Sequence, residues 1–462
     1  MARGKKKETA LTAEEKLAQA LVPDWEQPYK VPENWCWTKI GELSSLHRGV
    51  SYKKNEGHTE KNEGDCLVMR GGNILEGAID TDSDNIYVDM KLVSEEQLLR
   101  KYDVVIVSST GSTKVIGRAG ISFDDYKDVA FGAFLTLVRP KKEIYKPCVS
   151  YFFQSQLYRE RIRQLASGVN INNIRSEYIT ETPIPLPPLA EQHRIVDRIE
   201  GLFAKLDEAR DKVQDVVDGF ETRKAAILHK AFTGELTASW RNTHGMSLNC
   251  WKTNHLKDCC KIGSGGTPSR KHPEYYDGTI PWIKTGEINW NDIDSAEEMI
   301  SEDAIDNSSA KLYPPGAVLV AMYGMGVTRG RAAILAVPAA TNQAVCVLQP
   351  AKYLNNRYLF YYFMCNYWDI REQAVGGNQL NLSGTIISKF EIAIPSMVEQ
   401  AEIVRILDDL LAKEQQAKEA AEAVLEKIDL IKKSILARAF RGKLGTNDPT
   451  EESALELLKA IL

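Results

Sequence analysis

The side chains of this chain that could do chemistry are basic and amide residues in glycine-containing loops. Arginine and lysine suit phosphates and guanine edges, asparagine and glutamine can pair with adenine, and glutamate can accept a hydrogen bond from the cytosine amino group. Any one of these residues could equally be a solvated surface group, and an asparagine could simply close a turn. Because two such sets occur in mirrored order along the chain, they predict two surfaces that read DNA.

The candidate DNA-binding residues form these two sets, one in each half of the chain. The first consists of Arg48, Tyr52, Lys53, Lys54, Arg70, Asn73, Lys114, Arg118, Asn170, Asn172 and Asn173, with Arg175 beside it. The second consists of Ser269, Arg270, Lys284, Glu287, Tyr323, Arg329, Arg331, Asn378, Gln379 and Asn381, with Lys271 and Asn289 beside it.

Catalytic motifs are poorly represented. The glycine-rich string from Tyr323 to Gly330 follows a strand-like run, but its third glycine comes one position late for G-x-G-x-x-G, so a loop that turns a hairpin or faces a ligand is the better interpretation. The sequence has no phosphate-binding G-x-x-x-x-G-K-[ST] motif and no methyl-transfer motif, and its seven histidines are scattered. We therefore expect a binding protein without catalytic residues.

The composition of the chain limits where the protein is located and how it could contact DNA. The 462 residues carry a net charge of −5 with a pI near 5.9, so any DNA contact must come from local clusters or from a partner. No apolar run approaches the roughly 18 residues of a membrane span, and the lysine-rich start does not resemble a signal peptide, so we expect a cytoplasmic protein. The eight cysteines include no C-x-x-C pair, which predicts reduced thiols and no metal site.

A duplication positions the two sets of loops. Glu191-Gln192 returns as Glu399-Gln400 in a stretch of about fifty residues that recurs at one constant offset. In both copies apolar residues step by four and three, as in a long helix that pairs with another. Each copy begins after a proline and ends at a glycine, Gly234 or Gly442, that can cap the helix. The predicted pairing residues are Ile195, Ile199, Leu202, Leu206, Val213, Val216 and Phe220 in the first copy, and Ile403, Leu407, Leu410, Val424, Ile428 and Ile435 in the second. Glu414 replaces Leu206 in a weak middle section of the second copy, which either the partner helix or another protein must complete.

The predicted fold is α+β, with two repeated mixed α/β domains separated by two long antiparallel helices that form an intramolecular coiled coil. Its parts are an N-terminal extension (1–34), a first domain (35–183), a first helix region (184–237), a second domain (245–391), a second helix region (392–444) and a C-terminal tail (445–462). In the extension, Thr12 and Glu15 form a capping box for a short helix. In the tail, Asp448 and Pro449 predict the start of a helix that runs to Leu462.

These features together resemble the specificity subunit of type I restriction-modification systems, over almost the whole chain. The most specific motifs are the proline-led Glu-Gln segments, Leu186 to Gln192 and Ile394 to Gln400, and the helix ends, Leu228 to Leu236 and Leu436 to Leu444. Weaker markers are the segments Arg48 to Ser51 and Ser264 to Pro268. Ser396 and Met397 depart from the proline-rich form of the first copy, which weakens the second proline signal only.

The resemblance implies that the two domains are target recognition domains, each reading one half of a bipartite, asymmetric site in double-stranded DNA, while the paired helices set the spacer. It also implies two modification subunits with S-adenosylmethionine and two motor-nuclease subunits that use ATP and Mg²⁺, so that the assembled complex would be a DNA adenine methyltransferase and an ATP-dependent endonuclease. Two other interpretations are a stand-alone modular DNA-binding or anti-phage adaptor protein and a self-contained methyltransferase.

Overall fold

The structure is a computed structural model that describes residues 12–166, 173–324, 326–375 and 381–462. Its contacts divide the chain into two units. The first contains Met1–Val213 together with Ala423–Leu462, and the second contains Gln214–Glu422. Each unit therefore holds one domain and parts of both long helices.

Within its described residues, the first unit contains nine strands in three small sheets. Residues 104–107, of sequence Val-Val-Ile-Val, are buried throughout, as expected for a β-branched run at the centre of a sheet. The strands are β1 Cys36–Lys39, β2 Ser44–Arg48, β3 Asp65–Met69, β4 Tyr87–Asp89, β5 Val104–Val107, β6 Ala119–Ile121, β7 Val129–Phe131, β8 Leu135–Pro140 and β9 Pro183–Leu186. They form a four-stranded sheet of order β2-β8-β5-β6, a three-stranded sheet of order β4-β3-β7 and the pair β1-β9.

The second unit repeats this topology with ten strands. They are β10 Lys252–His255, β11 Cys260–Ser264, β12 Ile280–Ile283, β13 Asp292–Ile293, β14 Met299–Ile300, β15 Val318–Ala321, β16 Ala332–Leu335, β17 Ala340–Thr341, β18 Val345–Pro350 and β19 Glu391–Ile394. The sheets have the orders β11-β18-β15-β16-β13, β14-β12-β17 and β10-β19. Apart from the added β13, each strand has a counterpart in the first unit, including the parallel pairs β3-β7 and β12-β17. The predicted repeat is confirmed.

Short helices cover the sheets, and the long helices follow β9 and β19. The helices are α1 Ala13–Ala20, α2 Ile40–Leu43, α3 Lys146–Phe152, α4 Gln156–Ala166, α5 Ser176–Thr180, α6 Leu189–Asp218, α7 Phe220–Phe232, α8 Ala238–Thr243, α9 Leu256–Cys259, α10 Glu302–Asp306, α11 Asn356–Cys365, α12 Tyr367–Glu372, α13 Gly384–Ile387, α14 Met397–Ala439 and α15 Ala454–Ile461. Gly234 and Gly442 follow α7 and α14 with positive φ, as expected of helix C-caps.

Each unit contains an antiparallel pairing of the long helices. In the first unit, α6 Asp207 contacts α14 Lys432, while Arg210 contacts Asp429, so residue numbers rise on one helix as they fall on the other. In the second unit, the guanidinium of Arg223 on α7 donates to the carboxylate of Glu414 on α14 at 2.8 Å. Arg223 therefore fills the weak middle section of the second copy from within the chain.

Two of the predicted pairing residues are wrong, because Val216 and Val424 are 41% and 39% exposed. The half-buried positions are their neighbours Val217 and Leu425. On the first copy the helix is interrupted at Gly219, and just before this break Val217 is half-buried in place of Val216, whereas Phe220 is buried as predicted. On α14 a lysine also takes part in the pairing: in the second unit the ammonium of Lys418 lies 4.7 Å from the centre of the Phe220 ring. A long lysine stem can cover apolar surface and complete a pairing face that a search for apolar residues misses.

The two terminal helices belong to the first unit. The capping box of Thr12 and Glu15 at the start of α1 is confirmed. The C-terminal helix, however, begins at Ala454 with Ser453 as its N-cap, not at Pro449 as predicted. The Asp448 side chain instead accepts hydrogen bonds from the backbone and hydroxyl of Thr450, which closes a turn before the helix. No helix in the described residues is long and apolar enough to cross a membrane.

Candidate nucleic-acid interface

Recurrent Glu-Gln dipeptides attach each long helix to its domain. In the first unit, the buried Glu191 carboxylate accepts hydrogen bonds from Trp35 Nε1 at 2.7 Å, Asn447 Nδ2 at 2.8 Å and Thr446 Oγ1 at 3.1 Å. The neighbouring Gln192 accepts from the backbone of Tyr145 and donates to that of Pro187. Every polar atom of the pair therefore has a role in holding the helix start.

The second unit repeats this anchor with a different donor set. The Glu399 carboxylate accepts from Trp251 Nε1 at 3.0 Å and Thr237 Oγ1 at 2.8 Å, and it forms an ion pair with Arg241 at 2.6 Å. Gln400 accepts from the backbone of Asn355 and donates to that of Pro395. Each anchor ties the start of a long helix to its own domain, and opening it is costly because it would leave buried charged and hydrogen-bonding groups unpaired.

One edge of the first domain gathers most of the predicted reading loops. Arg48 at the end of β2 pairs with Thr136, and Val107 at the end of β5 pairs with Leu135, so both strands end at the start of β8. The parallel strands β3 and β7 end together at Met69 and Phe131. The ends of these strands and the loops that follow them carry Arg48, Tyr52, Lys53, Lys54, Arg70, Asn73, Lys114 and Arg118. We call this edge of each domain the reading edge.

A glycine after β2 joins the two sheets at the reading edge. A Cβ atom on Gly49 would lie 2.1 Å from the carbonyl oxygen of Gly132, so no larger residue fits. In the second domain a Cβ on Gly265 would lie 1.9 Å from the carbonyl of Thr341, at the equivalent place. The weak sequence markers at Arg48 to Ser51 and Ser264 to Pro268 thus correspond to the same close backbone approach.

The predicted residues of the first reading edge divide into exposed and structural groups. Arg48, Lys53, Lys54 and Lys114 are exposed, and Tyr52 is half-buried against a small apolar cluster. Asn73 is not available to read a base: it is fully buried, and its amide bonds the backbone of Arg70, Asp80 and Ser83. Arg118 is half-buried and donates to the carbonyl of Gly71 at 2.9 Å, so it supports the same turn.

The second reading edge is more strongly neutralised. Arg270 forms an ion pair with Glu298 at 2.6 Å and stacks on Tyr276, and Lys284 contacts both Glu297 and Glu298. Burial raises the pKa of the Glu298 carboxyl, but the hydrogen bonds from Arg270 and Lys284 outweigh burial and hold this pKa below its ordinary value. Ser269 is exposed and remains accessible.

Two further predicted residues of the second edge have structural roles. The carboxylate of Glu287 accepts from the backbone N–H groups of Lys284 and Glu297, so it is not a free acceptor for cytosine. Arg331 donates to the side chain of Asn289 at 2.5 Å.

The glycine-rich string forms the connection between the antiparallel strands β15 and β16, as the hairpin interpretation predicts. Arg371 donates to the carbonyls of Arg329 and Gly326, and Tyr367 donates to that of Val327. Tyr323 is 38% exposed at the start of this loop. The loop is thus fixed from inside the domain while one aromatic ring faces outward.

The predicted asparagine-rich loops are only partly described. Asn170, Asn172, Asn378 and Gln379 lie outside the described residues. Asn173 forms an isolated β-bridge with Ser109, which brings it to the first reading edge. Asn381 bridges Val375 in the second domain.

One residue of the first reading edge is not among the predicted ones. The side chain of Phe134 is 70% exposed, whereas its carbonyl accepts hydrogen bonds from the backbone of Ser108 and Ser109. The same backbone position in the second domain is Ala344, whose carbonyl accepts from the backbone of Met322. Because Phe134 begins an apolar strand run, its sequence context indicates a core residue, and only the structure reveals the exposed ring.

Comparison with known proteins agrees with this architecture. The family described as the type I restriction modification DNA specificity domain matches residues 32–214 and 249–427. The chain is 29% identical over 430 residues to the type I restriction enzyme EcoKI specificity subunit of Escherichia coli K12, and 27% identical over 425 residues to the StySPI specificity subunit of Salmonella potsdam. In both comparisons 90% of each chain is covered.

Solved structures share the fold at lower identity. A chain from a study of complex assembly and conformational transition of the type I R-M system is similar with a TM-score of 0.69 and 18% identity, covering 90% of this chain and 100% of that one. The HsdS subunit from Thermoanaerobacter tengcongensis is similar with a TM-score of 0.57 and 19% identity, covering 90% and 99%. With two domain matches that span most of its length, the chain belongs to the type I restriction-modification DNA specificity family.

Proposed function

We propose that this chain is the non-catalytic specificity subunit of a type I restriction-modification complex, in which each domain reads one half of a bipartite, asymmetric DNA site. The observation that carries this proposal is the duplication of the frame without duplication of the reading edge. The strand order, the closely packed glycine (Gly49 or Gly265) and the Glu-Gln anchor are repeated. The reading edges differ, because the positions of Arg48 and Phe134 in the first domain are occupied by Ser264 and Ala344 in the second. Two like frames with unlike edges suit two different half-sites.

The long helices would set the distance between the half-sites. The first long helix region begins in the first unit and ends in the second, and α14 runs from the second unit into the first. Because α14 is a single helix of 43 residues, a change in its length must change the separation of what it joins.

The remaining activities would belong to partners. We place S-adenosylmethionine in two modification subunits, and ATP with Mg²⁺ in two motor-nuclease subunits, in a cytoplasmic complex. The exposed apolar residues of α14, among them Leu430 at 63% and Ile431 at 47%, support a docking role for the outer side of the helices. An acidic specificity subunit is compatible with DNA binding when its partners neutralise much of the phosphate charge.

The test is to express the chain with the modification subunits of its own host and to map adenine methylation by long-read sequencing. We expect one bipartite motif with a fixed spacer. Exchange of residues 35–183 for the first domain of another member of the family should change one half-site only. Methylation of a continuous site, or a change in both half-sites, would contradict the proposal.

The stand-alone adaptor makes a different prediction. It requires no modification subunit, so the chain should purify without one and should bind its DNA unaided. A self-contained methyltransferase would bind S-adenosylmethionine tightly as an isolated chain, which isothermal titration measures directly.

A further inference from the structure

Each reading edge has a basic side chain that contacts a carboxylate 14 residues later in the sequence. In the first domain Arg70 follows β3, and its guanidinium bonds the carboxylate and, at 3.1 Å, the carbonyl of Asp84, 14 residues later. In the second domain Lys284 follows β12, and its ammonium lies 3.2 Å from the carboxylate of Glu298, again 14 residues later, and 2.9 Å from that of the neighbouring Glu297. β3 and β12 are the central strands of the equivalent three-stranded sheets.

Both cations are presented by the same backbone turn. The N–H of Arg70 donates to Asn73 Oδ1 at 2.7 Å, and the N–H of Lys284 donates to Glu287 Oε1 at 2.8 Å. Each turn closes with a further backbone bond of 3.0 to 3.1 Å between the same two residues. The sequences of the turns differ, so the repeated geometry reflects the position and not the residue types.

Backbone conformation places Asp84 beside its cation, although its side chain is 54% exposed, and a second ion pair places Glu298. Asp84 adopts a left-handed backbone conformation, with φ of 52°, immediately before the loop that leads to β4. Glu298 is 30% exposed in its side chain and also binds Arg270, so it neutralises two cations of its reading edge. Such partly exposed pairs contribute little to stability, so stability does not explain why each domain has one.

We propose that Asp84 and Glu298 are specificity-determining residues that keep the cations Arg70 and Lys284 from binding DNA phosphates of the wrong sequence. A free cation at the reading edge would bind any duplex, because phosphate contacts carry no sequence information. A cation that must leave a carboxylate does so only when a well-placed acceptor, such as a guanine edge or a correctly positioned phosphate, replaces it. This inference rests on the proposed DNA-reading function and names how that function rejects other sequences.

The test compares charge-neutralising substitutions beside the reading-edge cations with substitutions elsewhere in the same domains. The variants are Asp84→Asn and the double change Glu297→Gln with Glu298→Gln. The control for Asp84→Asn is Asp128→Asn, which removes one charge from a pair with Lys61 at 2.7 Å, away from the reading edge. The control for the double change is Asp292→Asn with Asp294→Asn, which removes two charges beyond the reading edge, one of them from a pair with Arg357 at 2.7 Å. Asp128 immediately precedes β7, whose other end reaches the reading edge.

Binding is measured with the full chain in complex with its modification subunits, on a duplex that carries the mapped site and on a scrambled duplex of the same composition. We expect Asp84→Asn to raise affinity for the scrambled duplex about fivefold and to steepen its salt dependence by about one unit, since one more phosphate is contacted. Affinity for the mapped site should stay within about twofold. Adding Arg70→Gln should abolish the gain, and the two controls should show none.

Two results would overturn the proposal. If Asp84→Asn and Asp128→Asn raise the affinity for both duplexes equally, only net charge matters. If Asp84→Asn weakens binding to the mapped site and leaves the scrambled duplex unchanged, the carboxylate reads a base directly. A wild-type complex that does not distinguish the duplexes would contradict the proposed function, and the comparison of Asp84→Asn with Asp128→Asn on the scrambled duplex would still decide the role of the pair.

Discussion

The indole N–H of Trp35 donates to the carboxylate of Glu191 at 2.7 Å, across 156 residues of sequence, and thereby joins the start of the first domain to the start of the first long helix. Trp251 and Glu399 form the same bond at 3.0 Å in the second unit. The two anchors differ in one respect that stability measurements can detect. Only Glu399 faces a buried arginine, Arg241.

Substitution of the two anchoring glutamates should therefore have unequal effects. Glu399→Ala leaves the guanidinium of Arg241 buried without its partner, and we expect it to lower the free energy of unfolding by about 3–5 kcal/mol. Glu191→Ala leaves only neutral donors unpaired and should cost about 1–3 kcal/mol. Chemical denaturation with hydrogen exchange resolves the unit affected. Equal losses would show that the ion pair adds nothing to the second anchor.

The helix-pairing face can be tested with neighbouring residues of α14. Leu425→Ala removes a half-buried side chain and should lower the free energy of unfolding by about 1–2 kcal/mol. Val424→Ala should stay within about 0.5 kcal/mol, because Val424 is exposed. Thermal or chemical unfolding measures both. The reverse ranking would restore Val424 to the pairing face.

Phe134 should contribute to DNA binding without contributing to stability. Because its ring is exposed and its backbone is held by Ser108 and Ser109, Phe134→Ala should change the free energy of unfolding by less than about 0.5 kcal/mol. We expect affinity for the mapped site to fall by about 1–2 kcal/mol through loss of apolar contact in the groove, for example with a thymine methyl group.

The control for this prediction is Phe123→Ala. Phe123 is also exposed, but it lies beyond the far end of β6, away from the reading edge. Its substitution should leave DNA affinity unchanged. Equal effects of the two substitutions, in a binding titration of the complex, would remove Phe134 from the reading surface.

The spacer hypothesis predicts the result of lengthening both long helices. Insertion of one heptad into each helix adds about 10 Å, which corresponds to about three base pairs. Long-read methylation sequencing should then show both half-sites unchanged and a longer spacer. An unchanged spacer would contradict the measuring role of the helices. Insertion into one helix alone is the control, and it should disrupt the pairing and abolish methylation.

The sequence predicts the architecture well because the determining signals are local or repeated. The run from Val104 to Val107 becomes β5, the capping box at Thr12 begins α1, and the constant offset reveals the duplication. A less local feature is the division between α3 and α4, which the chain makes by turning at residues 153–155. Asp448 misleads, since a residue that can cap a helix can also close a turn.

The reading edge is less predictable, because a side chain's availability depends on residues distant in sequence. Residue type alone nominates Asn73 and Glu287, yet their polar atoms are bound by the backbone of their own turns. Residue type also nominates Arg70 and Lys284, and only the tertiary structure shows the carboxylates of Asp84 and Glu298 beside them. Phe134 is hidden from pattern analysis because an apolar residue at the start of a strand is usually buried.

By itself, the sequence determined that this chain is a duplicated frame with two long helices and without recognisable catalytic motifs, because periodicity, capping and repetition are written along the chain. The tertiary structure alone decided which side of each helix faces its partner, where Arg223 meets Glu414, and which of the polar loop residues remain free at the reading edge. The physical reason is that burial, ion pairing and competition for hydrogen bonds are set by neighbours in space, and those neighbours come from strands and helices far apart in the sequence.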